Sequence, residues 1–95
     1  PITWGDDVLT VLMGTMPKEE LVYQMNKTDA LVIMKIGENY QKVKAALKEA
    51  NLFNRAWSVH YATMANQKVV KLSDYLSEEM PYFGIILVHG TGRRP

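Results

Sequence analysis

Lys35 is the charged residue whose position most clearly suggests chemistry. It interrupts the apolar segment 30–36 just before Gly37. A lysine in an apolar strand must extend its amine to solvent or meet an anion, because an unpaired buried charge costs free energy. Two interpretations of Lys35 therefore stay open: a surface lysine, or a contact for a carboxylate-bearing ligand.

The two histidines are isolated in the sequence. His60 lies in a segment whose side chains alternate with the period of a strand, which favours an ordinary strand histidine. His89 ends the last apolar segment, and ligands of open α/β sheets bind at the carboxyl ends of strands. A ligand role is therefore better supported for His89. Neither histidine has a second ligand at metal-binding spacing, so we predict no metal site.

Other polar motifs give no catalytic residue. Adjacent side chains diverge on a strand or helix, so the carboxylate pairs at 6–7, 19–20 and 78–79 are interpreted as solvated surface. Gly90-Thr91-Gly92 lacks the following helix that a phosphate-binding loop needs. The small and polar segment 62–65 is typical of a turn, but it would also let a ligand approach the backbone closely.

Composition and charge exclude several classes of function. The 95 residues suffice for one domain, and a net charge of +1 gives no basis for nucleic-acid binding. The absence of cysteine excludes disulfides and thiolate catalysis, and agrees with a cytoplasmic protein. No apolar run reaches the roughly 18 residues of a membrane helix. The chain begins at Pro1, and we expect it to be part of a longer protein.

The hydrophobic pattern predicts the elements that must position these residues. The expected order is strand, helix, strand, helix and three further strands, with the helices capped by Thr15 and Asn39. The first three strands should be parallel, with right-handed crossovers. The third and fourth should pair as a hairpin or cross between parts of the sheet. The uninterrupted apolar segment 30–36 predicts a strand buried on both faces. The fold class is α/β.

Three motifs resemble the C-terminal half of the tetrapyrrole methylases. Val11-Leu-Met-Gly-Thr-Met-Pro17 is similar to the family's Val-Leu-Pro-Gly-Thr, and Leu31-Val-Ile-Met-Lys-Ile-Gly37 to its Leu-Val-aromatic-Tyr-Met-Gly. Ala62-Thr-Met-Ala-Asn-Gln-Lys-Val69 resembles Gly-Thr-Ala-x-x-Gln-Arg/Lys-Val. The Met-Lys-hydrophobic-Gly form of the second motif and Pro81-Tyr-Phe are closest to the branch that methylates carbon 20 of precorrin-2.

The resemblance implies both a fold and a ligand. It implies a single domain with a mixed five-stranded sheet and flanking helices, formed by residues 1–90 and followed by a tail at 91–95. Family members bind S-adenosylmethionine in a cleft between two domains. The glycine-rich cofactor loop of the family's N-terminal domain is missing from this sequence. The chain should therefore be half of an enzyme and inactive by itself.

The resemblance also implies which residues contact the cofactor. Lys35 takes the position of a cofactor-contacting methionine. Ala62, Thr63 and Met64 take the positions of the Gly-Thr-Ala cofactor segment. His89 falls where the last strand borders the cofactor in relatives.

The implied activity of the longer protein is methyl transfer from S-adenosylmethionine to carbon 20 of precorrin-2 or cobalt-precorrin-2, in cobalamin biosynthesis. Two alternatives stay open: another position of the same ring system, or a non-catalytic binding or dimerisation domain. Family members are typically homodimers. The chain has six methionines and several large aromatic residues, so we also expect an apolar surface for a second subunit or for the missing domain.

Overall fold

A computed structural model describes residues 8–63, 66–78, 80–81 and 84–89. Within these residues the chain forms five strands, two α-helices and short 3₁₀ turns. The strands are β1 (Leu9–Met13), β2 (Ala30–Met34), β3 (Ala56–Thr63), β4 (Asn66–Lys71) and β5 (Ile85–Val88). The helices are α1 (Lys18–Met25) and α2 (Tyr40–Glu49).

The strands form one mixed sheet in the order β1-β2-β5-β3-β4, which confirms the predicted fold class. β1 and β2 pair in parallel, and the other neighbours pair antiparallel. β3 runs in the same direction as β1 and β2, as predicted, but β5 lies between β2 and β3. Of the two arrangements left open for β3 and β4, the hairpin is correct.

Helix α1 begins without the predicted side-chain cap. Pro17, rather than Thr15, occupies the N-cap position, and no side chain caps the first turn. The preset φ of proline is compatible with a helix start, and the missing N–H would have no intrahelical partner there. Leu21 and Met25, one turn apart, are the buried residues of this short helix.

Helix α2 matches its predicted pattern closely. Val43, Ala46 and Leu47, at spacings of three and four, form its buried stripe. Asn51 follows the helix with a φ of 61°, the left-handed conformation that glycine or asparagine commonly adopts after a helix. Asn39 occupies the predicted N-cap position, but its side chain makes no capping hydrogen bond.

Both helices pack on one face of the sheet. The chain moves across the sheet in one direction from β1 through β2 to β3, and right-handed crossovers in one direction place their helices on the same side. Leu12, Ile33 and Ile86 form a row across three strands on this face. They belong to the same buried cluster as Leu21 of α1 and Leu47 of α2.

The other face of the sheet carries no helix in the part of the chain that the structure describes. Val11 and Met34 project there with 53% and 42% of their surface exposed, and Val32 is half-buried. The prediction that β2 is buried on both faces is therefore wrong for this chain. Its apolar sequence indicates a strand suited to two covered faces, but the crossovers supply helices to only one.

Tyr40 buries a hydroxyl group that has no hydrogen-bond partner in the described structure. Its ring packs edge-on against Tyr75, with 5.5 Å between ring centroids. Burial, and secondarily the neighbouring Tyr75, raises the pKa of Tyr40 to about 12. An unpaired buried hydroxyl costs about 1–3 kcal/mol, so we expect Tyr40→Phe to leave the free energy of unfolding unchanged or to increase it.

The raised pKa of Tyr40 also predicts a pH dependence. The unfolded chain should ionise this tyrosine near pH 10 and the folded chain only near 12. Stability is therefore unaffected by this group below about pH 10, and it falls as the pH rises from about 10 towards 12. The free energy of unfolding in urea should fall between about pH 9 and about pH 11.5, and it should fall less for Tyr40→Phe than for the unmodified chain. Equal losses would contradict this interpretation.

Candidate functional site

The loops that follow β1 and β2 meet at one end of the sheet, here named the carboxyl edge (residues 14–17 and 35–39). The N–H of Gly14 donates to the carbonyl of Met34 over 2.7 Å. A Cβ atom added to Gly14 would lie 2.8 Å from the Lys35 carbonyl oxygen and 3.0 Å from the Ile36 Cα. Only glycine lets the two loops approach this closely without a shift of the backbone.

Lys35 lies at the first position after β2, and its side chain is exposed. Its φ of 53° is left-handed, a conformation that costs a residue with a side chain about 1–2 kcal/mol. Ile36 returns to the right-handed region, and Gly37 is left-handed again with a φ of 43°. Such alternation directs successive N–H groups into one concavity, which suits an anion.

The two loops line a cleft of about 360 Å³, within the usual size range of small-ligand sites. Its lining residues are Thr15, Lys35, Ile36, Gly37, Glu38 and Asn39. The Lys35 ammonium and the positive end of the α2 dipole favour an anionic group, whereas Glu38 contributes one negative charge. The cleft therefore suits a ligand that carries both a carboxylate and a cationic or hydrogen-bonding group.

A second cleft, of about 600 Å³, adjoins the first because both are lined by Glu38. It lies between α2 and the segment 76–78, and also involves Gln41 and Lys44. The Gln41 side-chain amide donates to the Glu78 carbonyl over 2.6 Å, which ties the segment to the helix. Sequence patterns alone indicate no functional role for this second cleft.

β3 carries two more of the predicted residues to the carboxyl edge. Because β3 runs in the same direction as β2, Ala62 and Thr63 at the C-terminal end of β3 lie at the same end of the sheet as Lys35. Val59 is opposite the first residue of β5, so the end of β3 continues past that strand. Met64 lies outside the described residues. The structure thus brings Lys35, Ala62 and Thr63 to one edge.

His89 lies at the opposite edge. β5 is antiparallel to β2, with Val88 opposite Leu31, so the end of β5 is beside the start of β2. The His89 carbonyl accepts a hydrogen bond from the Arg55 guanidinium over 2.7 Å. Strands contribute their carboxyl ends to the same ligand site only when they run in parallel, so that these ends lie at the same edge of the sheet. The structure does not bring His89 together with Lys35, and a cofactor role for His89 stays a prediction.

The described residues contain no group of three or more side chains placed to hold a metal ion. None of the described helices is long and apolar enough to cross a membrane. What the carboxyl edge offers is the means to bind and orient a ligand: an ammonium, a carboxylate, a hydroxyl group and backbone N–H groups.

Sequence reasoning missed Thr15 and Glu38 as cleft residues. Thr15 was expected only as a helix cap, and Glu38 was given no role. A signal was available for both, because Thr15 follows Gly14 and Glu38 follows Gly37, each just beyond a predicted parallel strand. Loops in that position are where open α/β sheets bind their ligands.

The chain is similar to proteins of one family over most of its length. A family model described as tetrapyrrole (corrin/porphyrin) methylases matches residues 1–74. The chain is 41% identical, over all 95 residues, to a precorrin-2 C(20)-methyltransferase from Sinorhizobium sp, and covers 39% of that protein. It is 37% identical over 94 residues, 99% of its length, to the cobalamin biosynthesis protein CobIJ of Mycobacterium bovis, and covers 18% of that protein.

A more distant relative is the cobalt-precorrin-2 C(20)-methyltransferase of Salmonella typhimurium. The identity is 29% over 91 residues, which make up 94% of this chain and 38% of the relative. The chain thus spans about two-fifths or less of the length of these three relatives.

Proposed function

Because this chain belongs to the tetrapyrrole methylase family, we propose that it is the C-terminal half of an S-adenosylmethionine-dependent methyltransferase. Residues 1–90 form the proposed domain and 91–95 its tail. The proposed acceptor is carbon 20 of precorrin-2 or cobalt-precorrin-2, a step of cobalamin biosynthesis. One observation carries the proposal: 41% identity, over the entire chain, to a precorrin-2 C(20)-methyltransferase.

The carboxyl edge supports a role in binding the methyl donor. The sulfonium of S-adenosylmethionine supplies an activated methyl group, so the main task of the protein is to hold donor and acceptor in line. The donor also carries a carboxylate and an ammonium, and the cleft offers Lys35 and Glu38 as groups of opposite charge. We propose that Lys35 binds the carboxylate, while Ala62 and Thr63 contact the donor through their backbone.

A longer polypeptide would supply the other wall of this cleft. The described lining of the cleft comes from the two loops alone, and the chain covers only 39% of its Sinorhizobium relative. On this account the present chain holds one end of the donor, and the remaining part of the polypeptide closes over it and binds the tetrapyrrole. The resemblance further supports a homodimer as the assembled enzyme.

The function is tested by methyl transfer from isotopically labelled S-adenosylmethionine. The longer protein is incubated with precorrin-2 and with cobalt-precorrin-2, and the methylated carbon is located by NMR. We expect the label at carbon 20 of at least one substrate, and no turnover by the 95-residue chain alone, since it has only part of the cleft.

Three outcomes would contradict the proposal. Methylation at another carbon would assign a different ring position. Tetrapyrrole binding without transfer would indicate a non-catalytic domain. Turnover by the isolated chain would show that it is not half of the enzyme.

A further inference from the structure

We propose that the sheet face opposite the helices is covered, in the longer protein, by a helical segment of the same polypeptide outside this chain. This apolar face is formed by alternate residues of the strands. Its described members share rows in the strand register. They are Leu9, Val11, Met13, Ala30, Val32, Met34, Trp57, Val59, Val69, Lys71, Ile85 and Leu87. Of these, Ala30 and Val59 are buried and Lys71 is charged. The proposal rests on the proposed function in one respect, namely that the chain is part of a longer polypeptide.

The apolar face is exposed to a degree that isolated surface residues do not explain. Leu9, Val11 and Val69 have 47%, 53% and 53% of their surface exposed. The first two lie on β1 and the third on β4, so both borders of the sheet are exposed on this face. Their neighbours in the centre, including Val32 and Leu87, are only half-buried. Partly exposed apolar residues thus occupy neighbouring register positions on all five strands, and a contiguous apolar surface of this kind marks interaction sites.

The topology explains why the described elements leave this face uncovered. All three crossover connections lie on the helix side, including the one from β4 to β5, which contributes Leu72 and Met80 to the helix-side core. The β1–β2 pair is parallel, a pairing typical of sheets that helices cover on both faces. The apolar face therefore needs a cover from outside the described elements, and a helix with an apolar stripe matches it.

A segment of the same polypeptide is the best candidate for this cover. The relatives hold ample further chain, since this sequence covers 39% of one and 38% of another. The described chain enters the sheet through β1, a border strand whose first residue, Leu9, belongs to the apolar face. A preceding segment would begin next to the face, and covalent linkage gives it a high effective concentration.

Charge adds a constraint on the cover. Lys71 is the charged residue in the row that contains Trp57 and Leu87, at the β4 border, and its side chain is exposed. The remaining described members of the face are uncharged. A covering helix should therefore present an apolar stripe to the sheet and leave the Lys71 ammonium in contact with solvent at the β4 border.

The absence of cysteine from the chain allows a direct test by thiol labelling. Val11→Cys and Val69→Cys place single cysteines at the two borders of the face, and Tyr23→Cys is the control, because Tyr23 is 55% exposed on α1. The label at each site is quantified by peptide mass spectrometry. In the longer protein we expect both face cysteines to react about tenfold or more slowly than the control, independently of protein concentration. In the dilute isolated chain, all three should react at similar rates.

Several results would overturn the proposal. A face cysteine that reacts as fast as the control in the longer protein would show that the face is open. Protection that grows with concentration would assign the face to a second copy, and a gene encoding nothing beyond this chain would remove the proposed cover. The proposed function can fail independently of this proposal. A protected face in a longer protein that transfers no methyl group would overturn only the proposed function. An open face in an active methyltransferase would overturn only the proposed cover.

Discussion

Gly14→Ala is expected to lower the free energy of unfolding by about 2–3 kcal/mol, because it overpacks a buried contact between two loops. The added methyl carbon would lie 2.8 Å from the Lys35 carbonyl oxygen and 3.0 Å from the Ile36 Cα. Both are backbone atoms, which cannot rotate aside as a side chain can. Either the loop after β2 moves, with loss of the Gly14–Met34 hydrogen bond, or β1 shifts along its parallel partner.

Gly84→Ala is a matched control for this substitution. An added Cβ at Gly84 would lie 2.8 Å from the Met80 Cγ, an atom of a flexible side chain that can change rotamer, and 3.1 Å from the Pro81 carbonyl oxygen. This backbone contact is looser than the one at Gly14, so we expect a smaller loss in the free energy of unfolding, about 1–2 kcal/mol. Urea unfolding followed by circular dichroism measures both variants. The importance of the loop contact would be contradicted if Gly14→Ala changed the free energy of unfolding by less than about 0.5 kcal/mol. It would also be contradicted if Gly84→Ala lowered the free energy of unfolding more than Gly14→Ala does.

Local patterns in the sequence predicted most of the individual elements. The spacing of Val43, Ala46 and Leu47 placed α2 and its buried stripe correctly, because helical periodicity depends only on neighbouring residues. Asn51 marked the end of that helix for a similarly local reason, its tolerance of a left-handed backbone. The order of strands and helices along the chain could be predicted on the same basis.

Relations between distant segments were harder to predict. Nothing in segment 84–88 indicates that it inserts between β2 and β3, since strand order depends on pairing and not on local periodicity. The apolar sequence of β2 indicated two covered faces, yet the described helices cover only one of them. The start of α1 was also hard to predict. Pro17 occupies the N-cap position, which its fixed φ suits, although Thr15 was expected there.

The residues of the candidate site also fall into two groups, those indicated by local sequence and those that depend on contacts between distant segments. Lys35 could be predicted because a charge in an apolar strand has few stable environments. Thr15 and Glu38 look like ordinary loop residues, and only the meeting of two loops makes them part of a cleft. The placement of His89 depended on the direction of β5, which the sequence does not reveal.

Lys35→Met should weaken binding of S-adenosylmethionine by the longer protein about tenfold or more, because a hydrogen bond to a charged group contributes about 1.5–3 kcal/mol. Methionine keeps an unbranched side chain of similar length. It also faces the same left-handed φ of 53°, so the backbone strain is unchanged. Stability should therefore stay within about 0.5 kcal/mol of the unmodified protein, which separates a ligand contact from a structural role.

If the carboxyl edge of this chain binds the methyl donor, the dissociation constant for S-adenosylmethionine should depend on Lys35. Isothermal titration calorimetry of the longer protein would compare Lys35→Met with Lys42→Met, which removes the same charge from α2 away from the cleft. We predict a loss of about tenfold or more for Lys35→Met and less than about twofold for Lys42→Met. An unchanged dissociation constant for Lys35→Met, above all together with a lower melting temperature, would contradict the claim and make Lys35 a structural residue.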